Sequence, residues 1–288
     1  MQIRFSKKVT FICGTLVALM LRASYWQYER HQSKLVYIKT LSTRLQEPVV
    51  PILDLLSTIK GSTPSNYEAL IHRRGKIEGS YDFAHEVVLR NRRLEGFPGA
   101  YVLTPLKLEG TELHILVNRG FIPLSLSTSE RRKEFQKEKA ASFIGLIKET
   151  SGQKFLSPSD PESGGDNPWV DAWLRVDTEQ IQKQLPYPLI PLYLEIMESG
   201  EIKGVEEKIV SAKSGRDEMF LLPGDKGSIR SDSELPRNQS YPIPVFDTVV
   251  PPGRHQGYIY EWAGMAVVTF LIGLVLQLKR PQRQQINT

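Results

Sequence analysis

His255, Tyr258, Trp262 and Met265 stand at i, i+3, i+7 and i+10 within residues 254–285, the spacing of one face of a single α-helix. Trp262 would then lie about two turns, roughly 10 Å, along the axis from the imidazole. These residue types suit a flat amphiphilic ligand carrying a metal. The imidazole is a candidate axial ligand for haem iron, Tyr258 and Trp262 can flank a porphyrin, and Arg254 can meet a propionate. A plainer reading is an interfacial belt of aromatic rings that includes a histidine. Residue type and spacing alone leave both open.

The element that must carry these residues is a membrane span. From Trp262 to Leu278 there is no charge, and Gln277 is the one strongly polar side chain. That run is about the length a helix needs to cross a hydrocarbon layer of ~30 Å, the alternative being a buried core helix. Lys279, Arg280 and Arg283 follow at once and mark a cytoplasmic end. The start of the chain mirrors this, with Arg4, Lys7 and Lys8 before the apolar run VTFICGTLVALML. A cleaved secretory signal competes with an uncleaved span here. No small-x-small cleavage site follows, Tyr25, Trp26 and Tyr28 cluster where an interfacial belt would lie, and Arg22 can snorkel to that interface, which favours the span.

The formal net charge of +5 belongs to the tails. Each contributes +3, in the first eight and last ten residues, leaving −1 between them. A domain without a basic face is not a nucleic-acid binder, and two basic tails put whatever lies between them across the membrane. The expected organisation is a cytoplasmic basic tail (1–8), a first transmembrane helix (9–28), an extracytoplasmic β-rich domain (29–253), a second transmembrane helix (254–278) and a second basic tail (279–288). The single cysteine, Cys13, falls in the first span. The domain therefore has no thiol chemistry or internal disulfide, and at roughly 220 residues it can bury a core unaided.

Short runs rich in β-branched and aromatic residues predict strands at HEVVLRN, GAYVLTPLKL, ELHILVNRG, SFIGLIKE, PLYLEIME and EEKIVSAK. Leu113, Ile115 and Val117 alternate with His114, Leu116 and Asn118, the period of a half-buried strand, and turn-rich separators favour antiparallel pairing. Leu35, Ile38, Leu41 and Leu45 extend the first helix outward, and Asp177 caps a short helix at DTEQIQKQL. STSERRKEFQKEKA is polar all round and reads as an exposed helix or loop. Residues 213–253, dense in proline, read as an extended tether back to the membrane. The fold class is thus a membrane protein with two transmembrane α-helices flanking a mostly antiparallel, β-barrel-like, α+β extracytoplasmic domain.

Enzymatic signatures are scarce. The chain holds no P-loop, G-x-S-x-G, H-E-x-x-H, C-x-x-C-H or G-x-G-x-x-G,. His72, His85 and His114 are scattered among strand-like segments and read as surface or satisfied histidines. Asp160, Glu162 and Asp166 share a Pro/Gly-rich loop, where acids are commonplace. No catalytic residue is assigned.

Several motifs carry a resemblance. WQYERHQSK, through Trp26, Gln27, Arg30 and Lys34, is similar to the W-Q-x-x-R-x-x-x-K of the Surfeit locus protein 1 family, with Ser24 where that family usually has glycine. RRLEGFPGAYVLTPLKL and ILVNRGFIP resemble its arginine, G-x-x-G, T-P-L and V-N-R-G series through Gly96, Gly99, Thr104, Pro105, Asn118, Arg119, Gly120 and Pro123. HQGYIYEW resembles H-L-x-Y-A-x-x-W at His255, Tyr258 and Trp262, departing at Gln256 and Ile259. The resemblance implies a β-rich domain between two membrane helices and a cytochrome c oxidase assembly factor rather than an enzyme. It implies haem a as the group delivered or retained, with the histidine at the position of His255 implicated in binding it in bacterial members. The oxidase haem–copper subunit, the haem a synthesis machinery and membrane lipid are the implied partners. The short tail before the first span suggests a bacterial inner membrane over a mitochondrial import route. A scaffold that binds no haem and a membrane-anchored periplasmic enzyme are the other function classes. In the Asn118-Arg119-Gly120 turn, the plain reading is a positive φ at Gly120 with Arg119 in a surface salt bridge, and the turn is expected to serve a structural role at the domain's membrane-facing rim, or a partner contact, rather than catalysis.

Overall fold

The computed structural model describes residues 2–3, 6–59, 64–94, 96–153, 155–164, 168–197, 240–245 and 252–279. The predicted strand EEKIVSAK, Asp166, Arg4, Arg280, Arg283 and most of the proline-rich tether lie outside these residues. The described chain forms two compact units. The first holds the helices and the second the β-domain.

In the helical unit, α1 runs unbroken from Lys7 to Leu45 and α5 from Pro252 to Leu276. Both are long and apolar enough to cross a membrane. The least exposed side chains of α1 include Cys13, Val17, Met20, Ser24 and Gln27, a 4-3-4-3 spacing that forms a coiled-coil seam. Helix α5 lies antiparallel along it. A Cβ on Gly273 would stand 3.0 Å from that of Cys13, and Ser24 Oγ donates to the Ile259 carbonyl at 3.0 Å. Small residues permit this close approach, as is usual between helices in a bilayer. The two-residue strands β1 (Gln2–Ile3) and β10 (Leu278–Lys279) pair antiparallel.

Beyond Lys39 the last turns of α1 belong to the domain, where Leu41 and Leu45 are buried. Leu35 departs from its expected stripe and is 37% exposed. After β2 (Val50–Pro51) and α2 (Ile52–Ser57), the strands are β3 (Arg74–Tyr81), β4 (Val87–Leu94), β5 (Phe97–Leu108), β6 (His114–Pro123), β7 (Ala140–Glu149), β8 (Ala172–Trp173) and β9 (Leu189–Met197). Among the described residues the domain also has two one-turn α-helices, α3 (Ser129–Arg132) and α4 (Thr178–Ile181), and several short 3-10 turns. Strands β3, β7, β9, β6 and β5 pair in that order, and β5 returns to β3, closing a five-stranded barrel. Every pairing within it is antiparallel except β6 with β9. Closure removes the edges an open sheet would expose.

The sequence gives no strand signal at β3, yet β3 closes the barrel. Its glycines are the cause. A Cβ on Gly79 would stand 2.3 Å from the Lys107 carbonyl of β5, so the pairing needs a residue without a side chain, and such residues dilute the β-branched pattern. Strand β6 departs from the half-buried expectation. Residues 115–118 are all buried because Ile115 and Val117 join one apolar cluster with Ile77, Leu106 and Leu194, while Leu116 joins another with Leu103, Phe121 and Trp173. A strand packed on both faces loses its alternation. Asp177 caps α4 as expected, its Oδ1 accepting from the Gln180 amide at 3.1 Å.

His72 is buried, with φ +68°. Burial, Lys148 and Arg44 together lower its pKa to about 4. The neutral imidazole is therefore favoured in the fold, and an unfolded chain takes up the proton more readily. Stability from this group is complete above pH ~6.5 and is lost as pH falls toward 4, by up to about 3 kcal/mol. His72→Asn, which tolerates the left-handed backbone, should flatten the stability profile between pH 6.5 and 4, measured by urea denaturation in mild detergent.

Candidate functional site

In the helical unit His255 is half-buried, and its Nδ1 lies 2.8 Å from Gln27 Oε1. An amide oxygen only accepts, so Nδ1 carries the hydrogen, and in the neutral ring Nε2 then holds the lone pair. A ligating imidazole usually donates its other ring N–H to an acceptor of this kind. Arg254 is exposed, Tyr258 and Met265 are each 42% exposed, and Trp262 is half-buried. The four residues share the one helix α5, and three of them keep open surface rather than packing into the seam. His255 turns to α1 while the rings keep open surface. Gln27 is the member that residue-type reasoning left without a role, although its place in the 4-3 seam was there to be read. Near it on α1, Arg30 lies over the Trp26 ring at 5.6 Å.

The domain carries a second polar centre that the sequence did not reveal. Glu86, 4% exposed, receives four donors. They are Arg132 Nε (3.1 Å) and Gln136 Nε2 (3.3 Å) on Oε1, and Thr104 Oγ1 (2.8 Å) and Arg119 Nη1 (3.0 Å) on Oε2. Arg132, 3% exposed, also grips Asp171 with both terminal nitrogens, at 3.0 and 2.5 Å. Burial pulls the guanidinium pKa down, but Asp171 and Glu86 outweigh it and hold the value above the ordinary one. The stretch STSERRKEFQKEKA is thus not a wholly exposed segment, because it delivers Arg132 and Gln136 to this centre.

Arg119 reaches the same carboxylate through a backbone irregularity. Val102 pairs with Gly120 and Leu103 with Asn118, so Arg119 is the extra residue of a β-bulge,. Gly120 takes φ +125°, as expected, and its amide donates to Asn118 Oδ1 at 3.1 Å. The expectation of a surface salt bridge is corrected. The Arg119 side chain is 12% exposed, its partner Glu86 2%, and the guanidinium lies over Tyr81 and Phe83 at 5.2 and 5.1 Å. With two arginines against two carboxylates, the centre ties Glu86, just before β4, to Thr104 of β5, Arg119 of β6 and Arg132 of α3.

His85 and His114 are not scattered. Both contact the Tyr187 ring, His114 stacked at 3.8 Å and His85 edge-on at 5.9 Å. Asp82 Oδ2 pairs with His85 Nδ1 at 2.6 Å and accepts from the Tyr187 hydroxyl at 2.5 Å. Burial alone would raise the Asp82 pKa, but these two bonds lower it on balance, and the Tyr187 phenol is pushed up by burial and by Asp82. Asp160 accepts from the Leu174 amide and lies 3.6 Å from Arg175, while Glu162 is exposed. Among the described residues, no group of three or more His, Cys, Asp or Glu side chains is arranged to hold a metal ion.

The model of the SURF1 family matches residues 15–267. Surfeit locus protein 1 of Homo sapiens is 29% identical over 153 residues, 48% of this chain and 48% of that protein. The Takifugu rubripes protein of the same name is 28% identical over 151 residues, 47% and 59% respectively. A SURF1-like protein of Dictyostelium discoideum is 25% identical over 204 residues, 62% and 72%. The chain spans about half the length of the first of these relatives.

Proposed function

The chain belongs to the SURF1 family, and from that premise we propose that it is a membrane-anchored assembly factor of cytochrome c oxidase that holds haem a for the haem–copper subunit. The observation that carries the haem reading is the Gln27–His255 bond. It orients the imidazole, whose neutral form keeps a lone pair on Nε2, on the helix that also carries the exposed ring of Tyr258, the half-buried ring of Trp262 and the exposed Arg254. These residues fit the group. Haem a supplies an iron that accepts a nitrogen lone pair, His255 offers that pair, Tyr258 and Trp262 offer apolar faces, and Arg254 offers a cation for a propionate. The cargo would come from the haem a synthesis machinery.

The expected location is a cell inner membrane with the domain on the periplasmic side, because Lys7 and Lys8 flank one span and Lys279 the other. Reporters fused after Lys8 and after Arg283 should both read cytoplasm, and one inserted at Ser163 should read the exterior. An exported C-terminal reporter would overturn this topology.

The same bond supports a second reading, in which Gln27 and His255 merely clasp the two helices of a scaffold that binds no haem. Reduced-minus-oxidised spectra of protein purified in mild detergent from cells making haem a separate the two. His255→Ala, which leaves a good helix former, should abolish the haem signal at unchanged membrane abundance. Gln27→Leu, which removes only the supporting acceptor, should weaken haem retention about 10-fold or more. The clasp reading expects both variants to lower membrane abundance and neither to change haem per protein.

A further inference from the structure

Strand β4 changes face partway along. Leu89 pairs with Tyr101 and Arg92 with Gly99, three steps on β4 set against two on β5, so β4 carries a bulge. Asn91 within it takes φ +60°, a left-handed backbone that asparagine tolerates better than most residues with a side chain. On a regular strand an odd step would turn Arg92 away from Leu89. The extra residue re-aims it, and both side chains line one cavity of about 170 Å³ within the β-domain. A cavity of ~150 Å³ is large enough to hold benzene.

Leu89, Tyr101 and Val176, which belong to the apolar cluster of Leu116 and Trp173, give the cavity its apolar wall. The rest of the lining includes four charged side chains, two of each sign. Two of them are already paired, Glu195 with Lys148 Nζ at 3.4 Å and Arg175 Nε with Asp160 at 3.6 Å. The other two are Arg92, half-buried, and Glu149, exposed at the end of β7. Among the described residues neither has an opposite charge within salt-bridge distance, so they do not reach each other. Arg92 is nonetheless fixed in place. Its Nη2 donates to the Leu174 carbonyl at 3.0 Å and its guanidinium stands over the Tyr101 ring at 5.6 Å, which leaves further N–H donors of the fork unspent.

We propose that this cavity binds a small zwitterion of about six non-hydrogen atoms, with its carboxylate on Arg92 and its ammonium on Glu149. The lining selects for both charges in one molecule. A simple anion on Arg92 would share the cavity with the carboxylates of Glu149 and Glu195, and a simple cation on Glu149 would share it with the guanidinium groups of Arg92 and Arg175, so each meets like charge. A dipolar ligand satisfies Arg92 and Glu149 together through charge-assisted hydrogen bonds. It brings no net charge into a lining whose own charges cancel, and its methylene groups have the wall of Leu89, Tyr101 and Val176 to pack on.

Isothermal titration calorimetry of the full chain in mild detergent at neutral pH tests this. The probes are glycine, β-alanine and 4-aminobutanoate, in which the two charges move progressively apart, with propanoate and propylammonium as compounds of one charge each. At least one zwitterion should bind about 10-fold or more tightly than either single-charge compound. Glu149→Gln alters an exposed side chain outside every ion pair described, so the fold should be untouched, as far-UV circular dichroism checks. It should weaken the preferred zwitterion about 10-fold or more and leave propanoate no weaker. Arg92→Gln should weaken zwitterion and propanoate alike. Zwitterions that bind no better than the single-charge compounds, or that do not bind, would overturn the proposal, since the cavity then holds water or a simple ion only. Unchanged zwitterion affinity in Glu149→Gln would overturn it as well.

Discussion

Glu86→Ala should cost the domain about 3–5 kcal/mol, because it strips the shared carboxylate from two arginines that cannot reach water. Arg132 is 3% exposed and the Arg119 side chain 12%. Asp171 still pairs with Arg132, but Arg119 keeps only the Phe135 carbonyl at 2.6 Å and its two aromatic faces. Thr104 and Gln136 lose their acceptor as well. Urea denaturation of the full chain in mild detergent, followed by near-UV circular dichroism, measures the loss. Combining Glu86→Leu with Arg132→Met should recover part of it, since a buried charge is costly mainly when its partner is gone. A loss below about 1 kcal/mol for Glu86→Ala would mean that the centre behaves as a solvated surface pair.

Gly120→Ala is expected to be comparably severe, for backbone reasons. A Cβ there would stand 2.0 Å from the Ile243 carbonyl oxygen, at φ +125°. The segment around Ile243 is held to β6 by a bridge in which the Phe121 amide donates to the Ile243 carbonyl at 2.7 Å and the Ile243 amide returns the bond at 2.9 Å. The methyl must either force that segment away or twist the bulge that presents Arg119. Backbone strain and overpacking each cost about 1–3 kcal/mol, so roughly 2–6 kcal/mol is expected in the same denaturation assay. Gly110→Ala is the control. It shares a positive φ of +70° but has nothing within 4 Å of the new carbon, and should cost no more than about 1 kcal/mol. Equal losses for the two would locate the whole effect in φ and none in the approach of Ile243.

What could be read from the sequence was whatever announces itself within one element. The two apolar helices, β4 to β7, β9 and the Asp177 cap each carry a local pattern, and each formed. Strand β3 escaped because the barrel needs glycine where β3 meets β5, so the closing contact erased its own signal. Arg132 escaped because a one-turn helix has no periodicity to display, and its burial depends on Glu86, 46 residues earlier in the chain. His85 and His114 looked unrelated for the same reason, since Tyr187 brings them together from a distant segment. His255 was legible as a residue type on a helix face. The groups that orient it and stabilise the pair come from α1, at the other end of the chain, and only the fold states their distance.

That distance along the chain sets a schedule for biogenesis. Gln27 and His255 are 228 residues apart, and a ribosome adding about 5–20 residues per second needs roughly 10–45 s to travel from one to the other. Throughout that interval the seam of α1 is without its partner helix. Ser24 and Gln27 must be satisfied by water, lipid headgroups or a chaperone until α5 arrives. The newly made chain therefore passes through an obligatory half-assembled stage, and its lifetime should lengthen in proportion when translation is slowed.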